Sequence, residues 1–111
     1  MQNLLTAEIE LKEDPDEGLR IECLAPHAEP LRRTLEAAGF TVGQPRVAIA
    51  GTQNIPATVE LPVNGGSFDE MKIAIHKGLL KVGVIVTEET FFAPREKHVR
   101  FNLENISLFG Q

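Results

Sequence analysis

Residues 57–86, ATVELPVNGGSFDEMKIAIHKGLLKVGVIV, decide the fold of this chain. From Ala57 to Val63, apolar side chains alternate with other residues, which is the period of a strand with one buried face. From Phe68 to Val82 the apolar residues recur at helical spacing, and Val84-Ile85-Val86 is a β-branched run typical of a buried strand. The stretch therefore predicts a strand, an amphipathic helix and a second strand.

The predicted helix carries start and stop signals at its two ends. Ser67 followed by Glu70 is a capping box, in which each side chain accepts a hydrogen bond from the other residue's backbone N–H. Gly83 follows the last turn, where a residue with positive φ commonly ends a helix. Acidic residues near the start and lysines near the end complement the helix dipole. The apolar stripe expected in the core consists of Phe68, Met71, Ile75, Leu79 and Val82.

Four further elements are predicted upstream of this stretch. Residues 5–12 and 19–23 alternate apolar and polar side chains on either side of the acidic turn 13–17, which predicts a β-hairpin. Residues 26–38 have the spacing of an amphipathic helix, and a strand interrupted by Pro45 follows. The charged side of the hairpin is expected to face solvent, where cross-strand pairs contribute only tenths of a kcal/mol. This side consists of Glu8, Glu10, Lys12, Arg20 and Glu22.

Downstream, residues 99–103 alternate again and predict a last strand after the Ala93-Pro94 turn. The order of elements within residues 19–92 is thus β-α-β-β-α-β, which resembles the ferredoxin-like pattern of two helices over one face of an antiparallel sheet. We expect a two-layer α+β sandwich, in which the first and last strands extend a mostly antiparallel sheet or form an arm. Residues 1–111 are predicted to form a single domain.

Composition and charge restrict the classes of protein to which this chain can belong. Of its 111 residues, 42% are hydrophobic and 24% are charged, which is the make-up of a folded globular domain. The single cysteine closes no intrachain disulfide, and no apolar run approaches about 18 residues, so we expect a cytoplasmic protein without a membrane segment. The formal net charge of −5 argues against broad nonspecific binding to nucleic acid.

No catalytic, metal-binding or cofactor-binding motif is evident in the sequence. Cys23 and His27 are close along the chain, which leaves open an enzyme with a thiol nucleophile and an imidazole base. Cys23 also falls on the apolar phase of its strand, which favours a small buried hydrophobe. The turn before Ser67 lacks the spacing of a phosphate-binding loop, and the three histidines lack zinc-ligand spacing. We therefore expect no catalytic residues, no metal and no cofactor.

The second predicted helix carries apolar residues outside its core stripe. Ile73 and Leu80 lie seven residues apart, two turns along one side, with His76 and Lys77 between them. Polar residues normally occupy such positions, and the alternative is a helix that is buried all round. We expect these four residues to form a protein interface. The chain is therefore predicted to be a small non-enzymatic protein-binding or regulatory module, a homodimer that acts through a helix face and sheet edges.

A second hypothesis concerns the turn between the last two predicted strands. Phe91 and Phe92 are neighbours on a strand, so they cannot both face one core, and an exposed aromatic ring among cations is typical of a surface that stacks single-stranded nucleic acid. The alternative is that one ring packs beneath a terminal strand while the cations surround a solvated turn. The residues of this candidate nucleic-acid-binding hairpin are Phe91, Phe92, Arg95, Lys97 and Arg100.

Overall fold

One antiparallel sheet of seven strands, with two helices packed on one face, forms the part of the chain that the computed structural model describes, residues 6–104. The strands are β1 (Thr6–Asp14), β2 (Gly18–Leu24), β3 (Thr41–Val42), β4 (Arg46–Ile49), β5 (Thr58–Asn64), β6 (Ile85–Ala93) and β7 (Glu96–Glu104). The helices are α1 (Ala25–Ala37) and α2 (Phe68–Lys81). The expected α+β class is confirmed.

The order of strands across the sheet is β3-β5-β2-β1-β7-β6, and β4 also pairs with β5. The short strands β3 and β4 therefore share one edge of the sheet, and β6 forms the other edge. Every paired neighbour is antiparallel.

The first and last strands do not lie where the sequence pattern placed them. They were expected to extend the sheet or to form an arm, whereas β1 and β7 occupy its centre and separate β2 from β6. The two strands pair continuously from Thr6–Glu104 to Glu13–Lys97. Each has a run of buried apolar side chains on one face, for example Ile9 on β1 and Phe101 on β7, and central positions under the helices bury such runs most completely.

The core lies between the sheet and the two helices. α1 packs over β2, β3 and β5, and α2 packs over β1, β6 and β7. The helices approach closely at Gly78, where a β-carbon would overlap the methyl group of Thr34. Among residues 6–104, no helix is both long enough and apolar enough to cross a membrane. The largest fully buried side chains are Ile9, Leu11, Ile21, Leu31, Leu35, Leu61, Met71, Ile75, Leu79, Phe101 and Leu103.

The start and stop signals of α2 are confirmed, whereas Val82, which was expected in the core stripe, follows the last turn and is 44% exposed. The hydroxyl of Ser67 accepts a hydrogen bond from the backbone N–H of Glu70 at 3.1 Å, and the carboxylate of Glu70 accepts one from the N–H of Ser67 at 2.8 Å. Gly83 has a φ of 86°, the left-handed conformation that ends the helix. These caps fix the ends of α2, while burial of Met71, Ile75 and Leu79 against the sheet fixes its rotation and hence the residues that face away.

Candidate protein interface

The side of α2 that faces away from the sheet carries two large apolar side chains. Ile73 is 51% exposed and Leu80 is 55% exposed, whereas Met71, Ile75 and Leu79 on the opposite side are buried. α2 is therefore not buried all round. We call Ile73, His76, Lys77 and Leu80 the outer face of α2.

The two polar residues of the outer face differ in their surroundings. His76 is half-buried, and its Nδ1 lies 2.5 Å from a carboxylate oxygen of Glu88 on β6. Lys77 is exposed and makes no ion pair with any of residues 6–104. The outer face is thus an apolar pair flanked on one side by a histidine held against the sheet and on the other by an unpaired cation.

An open groove runs between α1 and α2 beside the outer face, with a volume of about 690 Å³. Its floor is made of small or apolar residues, including Ala37 and Phe40 on the α1 side and Ala74 and Gly78 on α2. The sequence reasoning missed this groove. In the sequence, the groove is indicated only by small residues at helical spacing on α1 and α2. These residues predict a groove only when the two helices are known to be neighbours.

The candidate nucleic-acid-binding hairpin does not bring its residues to one surface. The ring of Phe91 stacks on His98, with centroids 4.6 Å apart, and the guanidinium carbon of Arg100 lies 4.7 Å from the centre of that ring. Both groups lie on the helix-free face of the sheet and already have partners within the protein. Arg100 lies within ion-pair distance of Glu8, Glu10 and Glu89, at 3.5, 3.7 and 3.6 Å.

The remaining hairpin residues are more accessible than Phe91. Phe92 is 93% exposed and points to the side of the sheet opposite to Phe91. Arg95 is exposed at the turn, and the Nζ of Lys97 lies 4.0 Å from a carboxylate oxygen of Glu13. Phe92 and Arg95 are therefore the hairpin residues that the fold leaves available for a ligand.

The helix-free face is not the loosely paired surface that the alternation predicted. Arg20 is only 8% exposed, and its guanidinium lies 2.9 Å from Asp14, 3.4 Å from Glu60 and 3.9 Å from Glu96. The backbone N–H of Glu17, assisted by Arg20, holds the pKa of the Asp14 carboxyl below its usual value. The expectation that Arg20 is solvated is wrong, because the carboxylates of Asp14, Glu60 and Glu96 on three other strands surround its guanidinium.

The pair of residues considered for a thiol enzyme lies inside the fold. Cys23 is buried on the helix side of β2, and this burial raises the pKa of its thiol to about 12. His27 is also buried, and burial lowers the pKa of its imidazole below the usual value. A reactive thiolate needs the opposite environment, an accessible and electropositive one.

Native Cys23 is expected to react with a small thiol reagent at least about a hundredfold more slowly than the unfolded chain at neutral pH, since a raised pKa suppresses the thiolate. The measurement is the rate of modification with and without denaturant. His27→Gln is the control, because removal of a catalytic base would slow a reactive thiol and leave an inert one unchanged. Rapid modification of the folded protein would contradict the interpretation of Cys23 as a buried, unreactive thiol.

The outer face of α2 and the adjoining groove are, among the described residues, one exposed surface on which apolar and cationic side chains lie together. Within residues 6–104, no three His, Cys, Asp or Glu side chains are grouped so that they could hold a metal ion. The chain matches no protein-family model, no curated protein and no solved structure. Function therefore has to be inferred from these surfaces.

Proposed function

We propose that this chain is a small non-enzymatic protein-binding or regulatory module, and that it forms a homodimer through the outer face of α2. One observation carries the proposal: Ile73 and Leu80 are half-exposed on the side of α2 opposite to the core. Large apolar side chains grouped on one exposed surface mark protein interfaces more often than scattered ones do.

The spacing of these residues favours a second copy of the chain as the partner. Ile73 and Leu80 are equally far from the point midway between His76 and Lys77. If a twofold axis passes through that point, two antiparallel α2 helices meet with Ile73 of each copy facing Leu80 of the other. Such self-complementarity is what an interface with twofold symmetry requires.

The charges along α2 support the same arrangement. Asp69 and Glu70 lie in the first turn of α2, and Lys81 lies in the last turn. An antiparallel pair brings the acidic end of each helix next to the basic end of the other, and it also opposes the two helix dipoles. A parallel pair would place like charges together.

The fold itself is proposed to be a ferredoxin-like unit into whose sheet β1 and β7 are inserted. Counting antiparallel neighbours across the sheet shows that β2 and β4 are parallel to each other, as are β5 and β6. α1 and α2 each connect one of these parallel pairs, with other strands between the members, which is the feature of a split βαβ pattern.

The double substitution Ile73→Glu with Leu80→Glu is expected to convert the dimer to a monomer, because four carboxylates would then face one another in the interface. Light-scattering mass over a concentration series measures this. The wild-type value should approach twice the 12.2 kDa of one chain, and the variant value should equal one chain. The matched control is Val47→Glu with Ile49→Glu, the same change at two exposed apolar residues of β4, and it should remain dimeric.

A monomeric wild-type protein, or a variant of the outer face that stays dimeric while folded by circular dichroism, would contradict the proposal. Dissociation of the β4 variant alone would place the contact at the sheet edge instead.

A second proposal, binding of single-stranded nucleic acid by the hairpin tip, rests on the exposure of Phe92 beside Arg95. An oligonucleotide added to the same series should then raise the mass at low salt only.

A further inference from the structure

The unpaired positive charge of this acidic protein is concentrated at the groove between α1 and α2. All eleven Lys and Arg residues lie within residues 6–104, and six of them take part in ion pairs there: Lys12, Arg20, Arg32, Arg46, Lys97 and Arg100. The five that do not are Arg33, Lys72, Lys77, Lys81 and Arg95. Three of these five, Arg33, Lys77 and Lys81, line the groove.

Negative charge at the groove is low. Glu70 is the single acidic residue of its lining, and its carboxylate already accepts the backbone N–H of Ser67. The groove therefore has a local positive charge, although the chain as a whole carries −5. Such a surface attracts an anionic partner and repels a cationic one.

The shape of the groove restricts the kind of partner. It is open along its length, it lies between two helices, and Ala37, Ala38, Ala74 and Gly78 keep its floor low. A small ligand is usually held in an enclosed pocket that buries most of its surface, whereas an amphipathic helix inserts its apolar stripe into an open groove. The rim cations would then meet acidic residues on either side of that stripe.

We propose that the groove between α1 and α2 binds an acidic amphipathic helix of a partner protein. The inference goes beyond the proposed homodimer, because the groove extends from Ile73 and Lys77 of the outer face across Ala74, Gly78 and Lys81 to α1. Leu80 does not line the groove. Ile73 and Lys77 belong both to the outer face and to the lining of the groove, so a second copy of the chain and the partner helix would compete for these two residues.

Fluorescence anisotropy with three labelled synthetic peptides, each about four helical turns long, tests the proposal. In the first peptide, Leu recurs at every third or fourth residue to form one apolar stripe, and Glu fills the other positions. The second peptide replaces Glu by Lys, and the third has the residues of the first in scrambled order. The acidic amphipathic peptide should bind at least about tenfold more tightly than either of the others. Equal binding of the scrambled peptide would mean that charge alone attracts it, and no preference for the acidic peptide would also overturn the proposal.

Charge reversal locates the site on the protein. Arg33→Glu with Lys81→Glu should weaken binding of the acidic peptide at least about tenfold. The matched control is Lys72→Glu with Arg95→Glu, which makes the same change in net charge at the two unpaired cations outside the groove, and its affinity should stay within about threefold of wild type. An equal loss of peptide affinity in both variants would mean that net charge determines binding, and it would overturn the groove as the binding site.

Two further measurements distinguish the groove proposal from the homodimer proposal and from a small anionic ligand in the groove. Leu80→Glu should dissociate the homodimer without weakening peptide binding, because Leu80 does not line the groove, so failure of the dimer proposal and failure of the groove proposal give different results. Laurate tests a small anionic amphiphile as the occupant. If laurate displaces the acidic peptide and itself loses affinity in the Arg33→Glu, Lys81→Glu variant, the groove is a site for such a ligand and the helix proposal is wrong.

Discussion

Phe101→Ala is expected to lower the free energy of unfolding by about 3–5 kcal/mol. Phe101 is 0% exposed and lies on β7 opposite Ile9 of β1, at the centre of the sheet and beneath the helices. Loss of the ring removes buried apolar contacts and leaves a cavity that rigid neighbouring strands cannot fill. Since domains of this size have a total stability of about 5–15 kcal/mol, the variant should lose between about a fifth and all of its stability.

Urea unfolding followed by circular dichroism measures the change. Phe92→Ala is the matched control, because it removes the same side chain from the adjacent strand at a position that is 93% exposed. This control should stay within about 0.5 kcal/mol of wild type. A cost of about 1 kcal/mol or less for Phe101→Ala would mean that β7 lies at the margin of the sheet, as the sequence pattern had suggested.

Arg20→Met is the second large effect, with an expected loss of about 2–4 kcal/mol in the free energy of unfolding. Methionine keeps most of the volume of the stem but leaves the carboxylates of Asp14, Glu60 and Glu96 without their shared cation. The expected loss is below that of a fully buried pair because Glu96 is partly exposed. The same measurement on Arg33→Met, which removes an exposed unpaired cation, should show a change within about 0.5 kcal/mol.

The pH dependence of this loss has a defined sign. In the wild-type protein the backbone N–H of Glu17, with a smaller contribution from Arg20, holds the pKa of Asp14 below its usual value, so the stability that Asp14 contributes is present at neutral pH and is lost as the pH falls through the folded pKa. The difference between wild type and Arg20→Met should therefore be largest near neutral pH and should shrink in acid. A difference that is independent of pH would show that Arg20 acts through packing rather than through charge.

The candidate interface was in part predictable from the sequence. The helical period alone separates Ile73 and Leu80 from Met71, Ile75 and Leu79, because seven residues are close to two full turns. The structure confirms that Ile73 and Leu80 are exposed, but their role in an interface remains a proposal. The pairing of His76 with Glu88 was not predictable, since nothing local indicates that β6 runs beside α2.

What the sequence by itself determined is local. The capping box of Ser67 and Glu70 begins α2, Gly83 ends it, and the alternation of apolar residues identifies the buried sides of β1, β2, β5 and β7. These features depend on residues within a few positions of one another, whose backbone geometry follows from side-chain sterics and nearby hydrogen bonds. The prediction of a buried strand at residues 84–86 is wrong, because β6 is an edge strand on which Ile85 is 50% exposed.

Only the tertiary structure decided which elements are neighbours. An alternating strand shows that one face is buried, but it serves equally well at the edge or at the centre of a sheet, because pairing partners are distant along the chain. The central position of β7, the burial of Arg20 among three carboxylates and the cation-lined groove all depend on such distant pairings. They arise because the chain as a whole must bury its apolar faces together, a requirement that no short segment can satisfy alone.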